Sequence, residues 1–177
     1  MQTRQQRRHR GFALLEVLIA VLVMAFGMLG IAKLLIFTTR SNASSGMKQQ
    51  AIQSAYNMLD RVRANRTSAL AGGYDASDVT TTGTPVPPAQ PSVLCDSTAS
   101  CSAAQLATYD TWYWLAKDLT ALPAGSGSIV RQPSGAATLV TVTVQWDDSP
   151  AQAQLGAAAS SPAGSPNLAR FVVQTLL

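Results

Sequence analysis

Glu16 is the only glutamate in the chain, and it lies inside an apolar run, FALLEVLIAVLVMAFGMLGIA, that extends from Phe12 to Ala32. A carboxylate in a membrane helix is costly and needs a partner. No residue from Phe12 to Ala32 carries a cationic side chain. A cut between Gly11 and Phe12 would supply a cation as a new α-amine, four residues before Glu16, about 6 Å along a helix. That amine can meet Glu16 of its own chain, or Glu16 of a neighbour displaced along a common axis. Other chemistry is scarce. The only histidine, His9, precedes the apolar run, so Ser-His-Asp catalysis and histidine-ligated zinc find no candidates beyond it. Serine–lysine or paired-aspartate catalysis is not excluded by composition, but Asp147-Asp148 reads more simply as a turn at a strand end. The sequence predicts no enzyme, no catalytic residue, no cofactor and no metal.

The elements that position Glu16 begin with the charges ahead of it. The formal net charge is +4 over 177 residues. Arg4, Arg7, Arg8 and Arg10 account for all of it, because from residue 11 onward nine basic residues balance nine acids. A neutral body does not indicate a general nucleic-acid binder. The basic head has its own reason: lysine and arginine stay on the cytoplasmic side of an inserted helix. The run is long enough to span a bilayer, which takes about 20 apolar residues. It is longer than a signal-peptide core, and no small-residue cleavage site closes it. Everything after it is therefore placed on the far side of the membrane. Cys95 and Cys101 fall in that exported part, where such a pair is expected to form a disulfide. A loop of about seven residues gives roughly 2.4 kcal/mol by loop entropy. Gly27 and Gly30 share a helix face, allowing close approach of another helix or local flexibility.

The helix is expected to continue to residue 65. Met47, Ala51, Ala55, Leu59 and Val62 form an amphipathic stripe. Arg61, Arg63 and Arg66 suit the negative end of the helix dipole; a phosphate or DNA contact is the alternative use. Residues 67–94, with Gly72-Gly73 and TPVPPAQP, read as irregular connection. Ser102 and Gln105 have capping-box spacing and predict a helix over 103–121, with Leu106, Tyr109, Trp112 or Tyr113, Ala116 and Leu119 on its apolar face. Trp112 and Trp114 stand about 200° apart on a helix, so one of them is left partly exposed. In TLVTVTVQWDD, 138–148, Val140, Val142, Val144 and Trp146 alternate with polar residues as in a half-buried strand. IVRQ, 129–132, pairs before it, and ARFVVQTLL, 169–177, is the last strand. Residues 149–168 are a loop rich in alanine, serine and proline. The fold class is α+β: a long N-terminal helix packed on a small antiparallel sheet head with a short additional helix.

Gly-Phe-Ala-Leu-Leu-Glu followed by the apolar stretch resembles the class III prepilin signal of type IV pilins and type II secretion pseudopilins. The resemblance implies a prepilin peptidase that cuts after Gly11 and methylates Phe12. It also implies that Glu16 forms the assembly charge pair with a neighbouring subunit's N-terminus. On that reading residues 1–11 are leader, 12–65 the long helix with 12–37 as its membrane or filament-core half, and 66–177 a globular head. GMLG, DRVRAN, the Cys-x5-Cys spacing followed by A-x-Y-D-x-W, LPAGSGSI and TVTVQWDD are similar to the PilV family of type IV pilus minor pilins. The likeness covers most of the chain outside the loops at 67–92 and 149–168. Ala13-Leu14-Leu15 departs from the usual Thr-Leu-Ile or Ser-Leu-Ile and keeps the apolar character.

Membership implies a type IV pilin-like fold and a low-abundance subunit near the pilus tip that takes part in initiating assembly. The implied partners are the prepilin peptidase, other minor pilins, the major pilin and a tip adhesin. The implied location is the inner membrane with a periplasmic head, then the extracellular pilus. The I-type minor pseudopilin of type II secretion shares the leader and the Trp-Asp strand; the length after the helix and the paired cysteines favour the pilus protein. A signal-anchored periplasmic protein is the other class. No nucleic-acid partner is expected, since only the arginines at 61–66 cluster.

Overall fold

The computed structural model describes residues 12–77, 86–96, 100–149 and 167–177. A 53-residue helix, α1 (Phe12–Ala64), opens the described chain. Contacts divide the chain into two units between Arg40 and Ser41, within this helix.

In the first unit, α1 carries its apolar run with nothing packed on it among the described residues. Leu14, Leu22, Phe26 and Ile31 are each more than half exposed. Helix formation here is local: each residue satisfies its backbone groups within the segment, which is what lets a helix exist in lipid. The length and composition are sufficient to cross a membrane.

In the second unit the same helix becomes amphipathic. Ala51, Ala55, Met58, Leu59 and Val62 are buried together with Ser54. The spacing of the Ala51–Val62 stripe, three and four residues, is what a one-sided helix contact requires. A turn at Asn65 leads into α2 (Arg66–Ala71), which Gly72 terminates in the left-handed conformation (φ 91°) while its amide donates to Ala69 O. After β1 (Ala76–Ser77) comes α3 (Ala103–Tyr113), opened by a capping box in which Ser102 Oγ accepts from the Gln105 amide and Gln105 Oε1 accepts from the Ser102 amide. A single π turn, Trp114–Asp118, and a 3₁₀ turn, Leu119–Ala121, extend it. Then β2 (Ser126–Ser134), β3 (Ala137–Asp147) and β4 (Leu168–Leu176) follow. The four strands pair antiparallel in the order β1-β2-β3-β4.

One face of this sheet builds the core. Ile129 opposite Val142 joins Val140, Val144 and Trp146 in a cluster with the α1 stripe, Tyr74, Ala107, Trp114, Leu115 and Leu119. Polar contacts fix the packing. Trp114 Nε1 donates to Ser54 O and Oγ at 3.1 and 2.8 Å. Ser44 Oγ donates to both oxygens of Asp148, and Arg63 donates to Thr175 Oγ1. The long helix with its small antiparallel sheet is the α+β architecture expected of the chain.

Three local expectations are corrected. Residues 67–94 are not wholly irregular, because Thr67–Ala71 belong to α2 and Ala76–Ser77 pair with β2; residues 86–91 have no regular structure. The helix over 103–121 changes its hydrogen-bond period after Tyr113, where the Leu119 amide reaches back to Trp114 O. Its apolar face also differs. Leu106, Tyr109, Trp112, Tyr113 and Ala116 are half-buried, while Ala107, Asp110, Trp114 and Leu115 lie in the core and Leu119 joins them. The π turn adds a residue to one turn, which brings Leu119 to the side that Trp114 occupies. Finally, β2 extends beyond Ile129–Gln132 at both ends.

Candidate functional site

Gly11, where processing is expected, lies outside the described residues, as do residues 1–10. Phe12 is the first residue of α1, so an α-amine created there would continue the helix axis. Glu16 is exposed on α1. The ion pairs among the described residues all lie beyond residue 59, and Glu16 belongs to none of them. The helix thus presents its carboxylate on an apolar surface, where a low dielectric would strengthen its attraction to a neighbouring amine.

The head uses its charges differently. Asp110 on α3 is buried and holds Arg61 Nη1 at 3.2 Å with one oxygen. Its other oxygen accepts from the Tyr74 hydroxyl at 2.9 Å. Asn65 Nδ2 donates to that hydroxyl at 3.2 Å and to Ala103 O at 2.7 Å. Burial raises the Tyr74 pKa far above the usual phenol range; Asn65 opposes the shift and Asp110 reinforces it. Arg61 also faces Asp118 at 3.7 Å and lies 5.4 Å from the Tyr113 ring centre. Burial raises the Asp118 pKa, and Arg61 opposes that shift. Arg61 and Arg63 are therefore engaged within the head, where Arg61 neutralises a buried acid.

Asp110 and Tyr74 matter to the fold, and the sequence marked neither as buried. Asp110 lies in the A-x-Y-D-x-W segment of the predicted helix, but that segment indicates neither burial nor a partner 49 residues earlier. Tyr109, Trp112 and Tyr113 form a half-buried aromatic group with ring centres 5.8–6.3 Å apart, and Lys117 lies 5.8 Å from the Trp112 ring centre. Trp114 takes the core position, so Trp112 is the partly exposed tryptophan. Cys95 and Cys101 form a disulfide with Cα atoms 5.9 Å apart. Asp147 accepts from the Ser149 amide and hydroxyl, closing the turn expected after β3.

Residues 36–112 match the model of the Tt1218-like family, type IV pilin Tt1218. That stretch includes the amphipathic part of α1, the disulfide loop and most of α3. Residues 6–32 match the prokaryotic N-terminal methylation motif, covering Gly11, Phe12, Glu16 and the apolar run. No curated protein and no solved structure gives a significant match. The chain is similar to a type IV pilin over the first segment and to the methylation motif over the second, and its architecture is consistent with the pilin fold. The methylation motif and the exposed apolar helix fit a membrane-anchored pilin.

Proposed function

We propose that the chain is a subunit of a type IV pilus, cut after Gly11 by a prepilin peptidase, methylated at Phe12 and assembled through Glu16. The observation that carries this reading is the methylation motif at 6–32 lying on a helix whose single acid has no partner in its own chain among the described residues. The role is structural. The PilV-like segments, the Cys95–Cys101 ring and the length of the head support a minor pilin that acts with other minor pilins, the major pilin and a tip adhesin in initiating assembly near the tip. Before assembly the head is periplasmic and the helix sits in the inner membrane; afterwards the protein is in the extracellular pilus. Engagement of Arg61 by Asp110 and of Arg63 by Thr175 supports a head without a nucleic-acid role. N-terminal sequencing of the protein from membranes and from sheared filaments tests the reading. A start at methylated Phe12 in both supports it, and a start at Met1 in both overturns it.

A further inference from the structure

Ahead of the disulfide lies a proline-rich stretch, Val86 to Pro91, that assembly through Glu16 does not use. Residues 86–90 are exposed and have no regular structure. Val86, at 82%, is the most exposed large hydrophobic among the described residues. No hydrogen bond joins residues 86–91 to the rest of the described chain. We propose that residues 86–91 are a stiff polyproline II ligand for an aromatic-lined groove on a second, different protein.

The stiffness follows from residue type. Proline fixes φ at about −65° at Pro87, Pro88 and Pro91. Val86, Pro87 and Gln90 are held extended because each precedes a proline. At three residues per turn, Pro88 and Pro91 line one edge of the resulting helix, Val86 and Ala89 the next, and Pro87 and Gln90 the third. The first two edges are wholly apolar, and the run covers about 16 Å. Its backbone has six carbonyls but only three N–H groups, because prolines have none. Such a segment cannot complete a sheet ladder, but it can accept hydrogen bonds from isolated donors. Tryptophan and tyrosine supply a flat apolar face and a single donor together, which is why aromatic grooves read segments of this kind. Charge narrows the partner further. No residue from Val79 to Leu94 ionises, and the nearest charges on either side are the acids Asp78 and Asp96. The complementary groove is neutral along its length, with a cationic rim.

A plain spacer accounts for less, since it needs length but no apolar edge held in water. A segment already stiff in the free protein also loses little entropy on docking. The Cys95–Cys101 disulfide begins four residues after Pro91 and leads into α3, so a docked partner is tethered close to the head.

The test is site-specific photocrosslinking. The full chain, carrying p-benzoylphenylalanine in place of Ala89 or of Gln90, is produced in the cells that naturally make it and irradiated. Both positions are exposed, so the head's melting temperature should not change in either variant. The Ala89 probe should give an adduct with a second protein, mapped by mass spectrometry to a peptide containing tryptophan or tyrosine. The Gln90 probe, on the third edge, should give about tenfold less, and so should the Ala89 probe combined with Pro88→Ala and Pro91→Ala, the change expected from losing one good contact. Equal yields from the two probes overturn the proposal, as does an Ala89 adduct that survives loss of both prolines. So does an adduct confined to this chain's own Tyr109–Tyr113 group, or the absence of any protein adduct. None of these outcomes depends on whether the chain enters sheared filaments.

Discussion

Replacing Gly127 by alanine tests how the core is closed. Gly127 lies on β2 opposite Val144, and an added Cβ would stand 2.7 Å from Trp114 Cζ3 and 2.8 Å from Leu119 Cδ1, with Trp114 Cη2 closer still. Relaxed carbon contacts are about 3.5–4.0 Å. Trp114 cannot withdraw easily, because its indole is fully buried and its Nε1 is held by Ser54. Leu119 is likewise fully buried. Overpacking of this kind costs about 1–3 kcal/mol, offset by roughly 0.5–1 kcal/mol from replacing glycine in a strand. The expected net loss is about 1–2 kcal/mol, or about 3–6 °C in Tm for a head of this size. Thermal melting of the full chain in detergent, followed by near-ultraviolet circular dichroism, reads the tryptophan packing directly. Gly46→Ala supplies the opposite sign. Gly46 is exposed within α1 with nothing within 4 Å of an added Cβ, so alanine there should stabilise by up to about 1 kcal/mol. An unchanged or raised Tm for Gly127→Ala would refute the packing argument.

Three other outcomes follow from the same contacts. Tyr74 has a folded pKa raised above its ordinary value of 10.0, so its contribution is intact below that pH and declines above it, by up to about 1.4 kcal/mol per pH unit. Denaturation at about pH 9 and about pH 11 should show the wild-type advantage over Tyr74→Phe shrinking; a constant difference contradicts the burial argument. Removing the disulfide with Cys95→Ser and Cys101→Ser should lower stability by roughly 2.4 kcal/mol on the loop-entropy model, read by urea denaturation, and no measurable loss would mean the ring does not restrain the unfolded head. Glu16→Ala should leave the N-terminal cut unchanged and sharply reduce the protein in sheared filaments; normal incorporation rules out the charge pair.

Elements specified by short-range periodicity were legible in the sequence. Val140 to Trp146 alternate so strictly that only one face can be inward, and the structure buries that face. The Ala51–Val62 stripe was legible for the same reason. Six residues of α2 offer too few turns for a period to show, and Gly72-Gly73 ends that helix rather than opening a loop. The α3 face was misread because residue type argued against it. Asp110 looks solvent-facing until Arg61 and Tyr74, both distant in sequence, are placed beside it. The π turn then shifts the phase by one residue, which no uniform helical count anticipates. Glu16 was legible because a lone acid in an apolar run needs no tertiary information to be anomalous.

The two units satisfy their charges by different means, and this separates folding from assembly. In the head, Arg61 pairs with Asp110, Arg131 with Asp75, and Ser44 donates to Asp148. These contacts close within residues 41–177 and need no other subunit. Glu16 has no such closure among the described residues, and on the proposed reading its contribution appears only when a second chain arrives. Glu16→Ala should therefore leave the head's melting temperature unchanged while filament incorporation falls. Asp110→Asn should do the reverse in order of cause: the loss of charge opposite Arg61, in a buried network, lowers stability by about 1–3 kcal/mol before any effect on assembly. Parallel melting curves and filament yields for the two variants distinguish these causes. A Glu16→Ala head that melts early would mean that the carboxylate supports the fold and is not reserved for a neighbour.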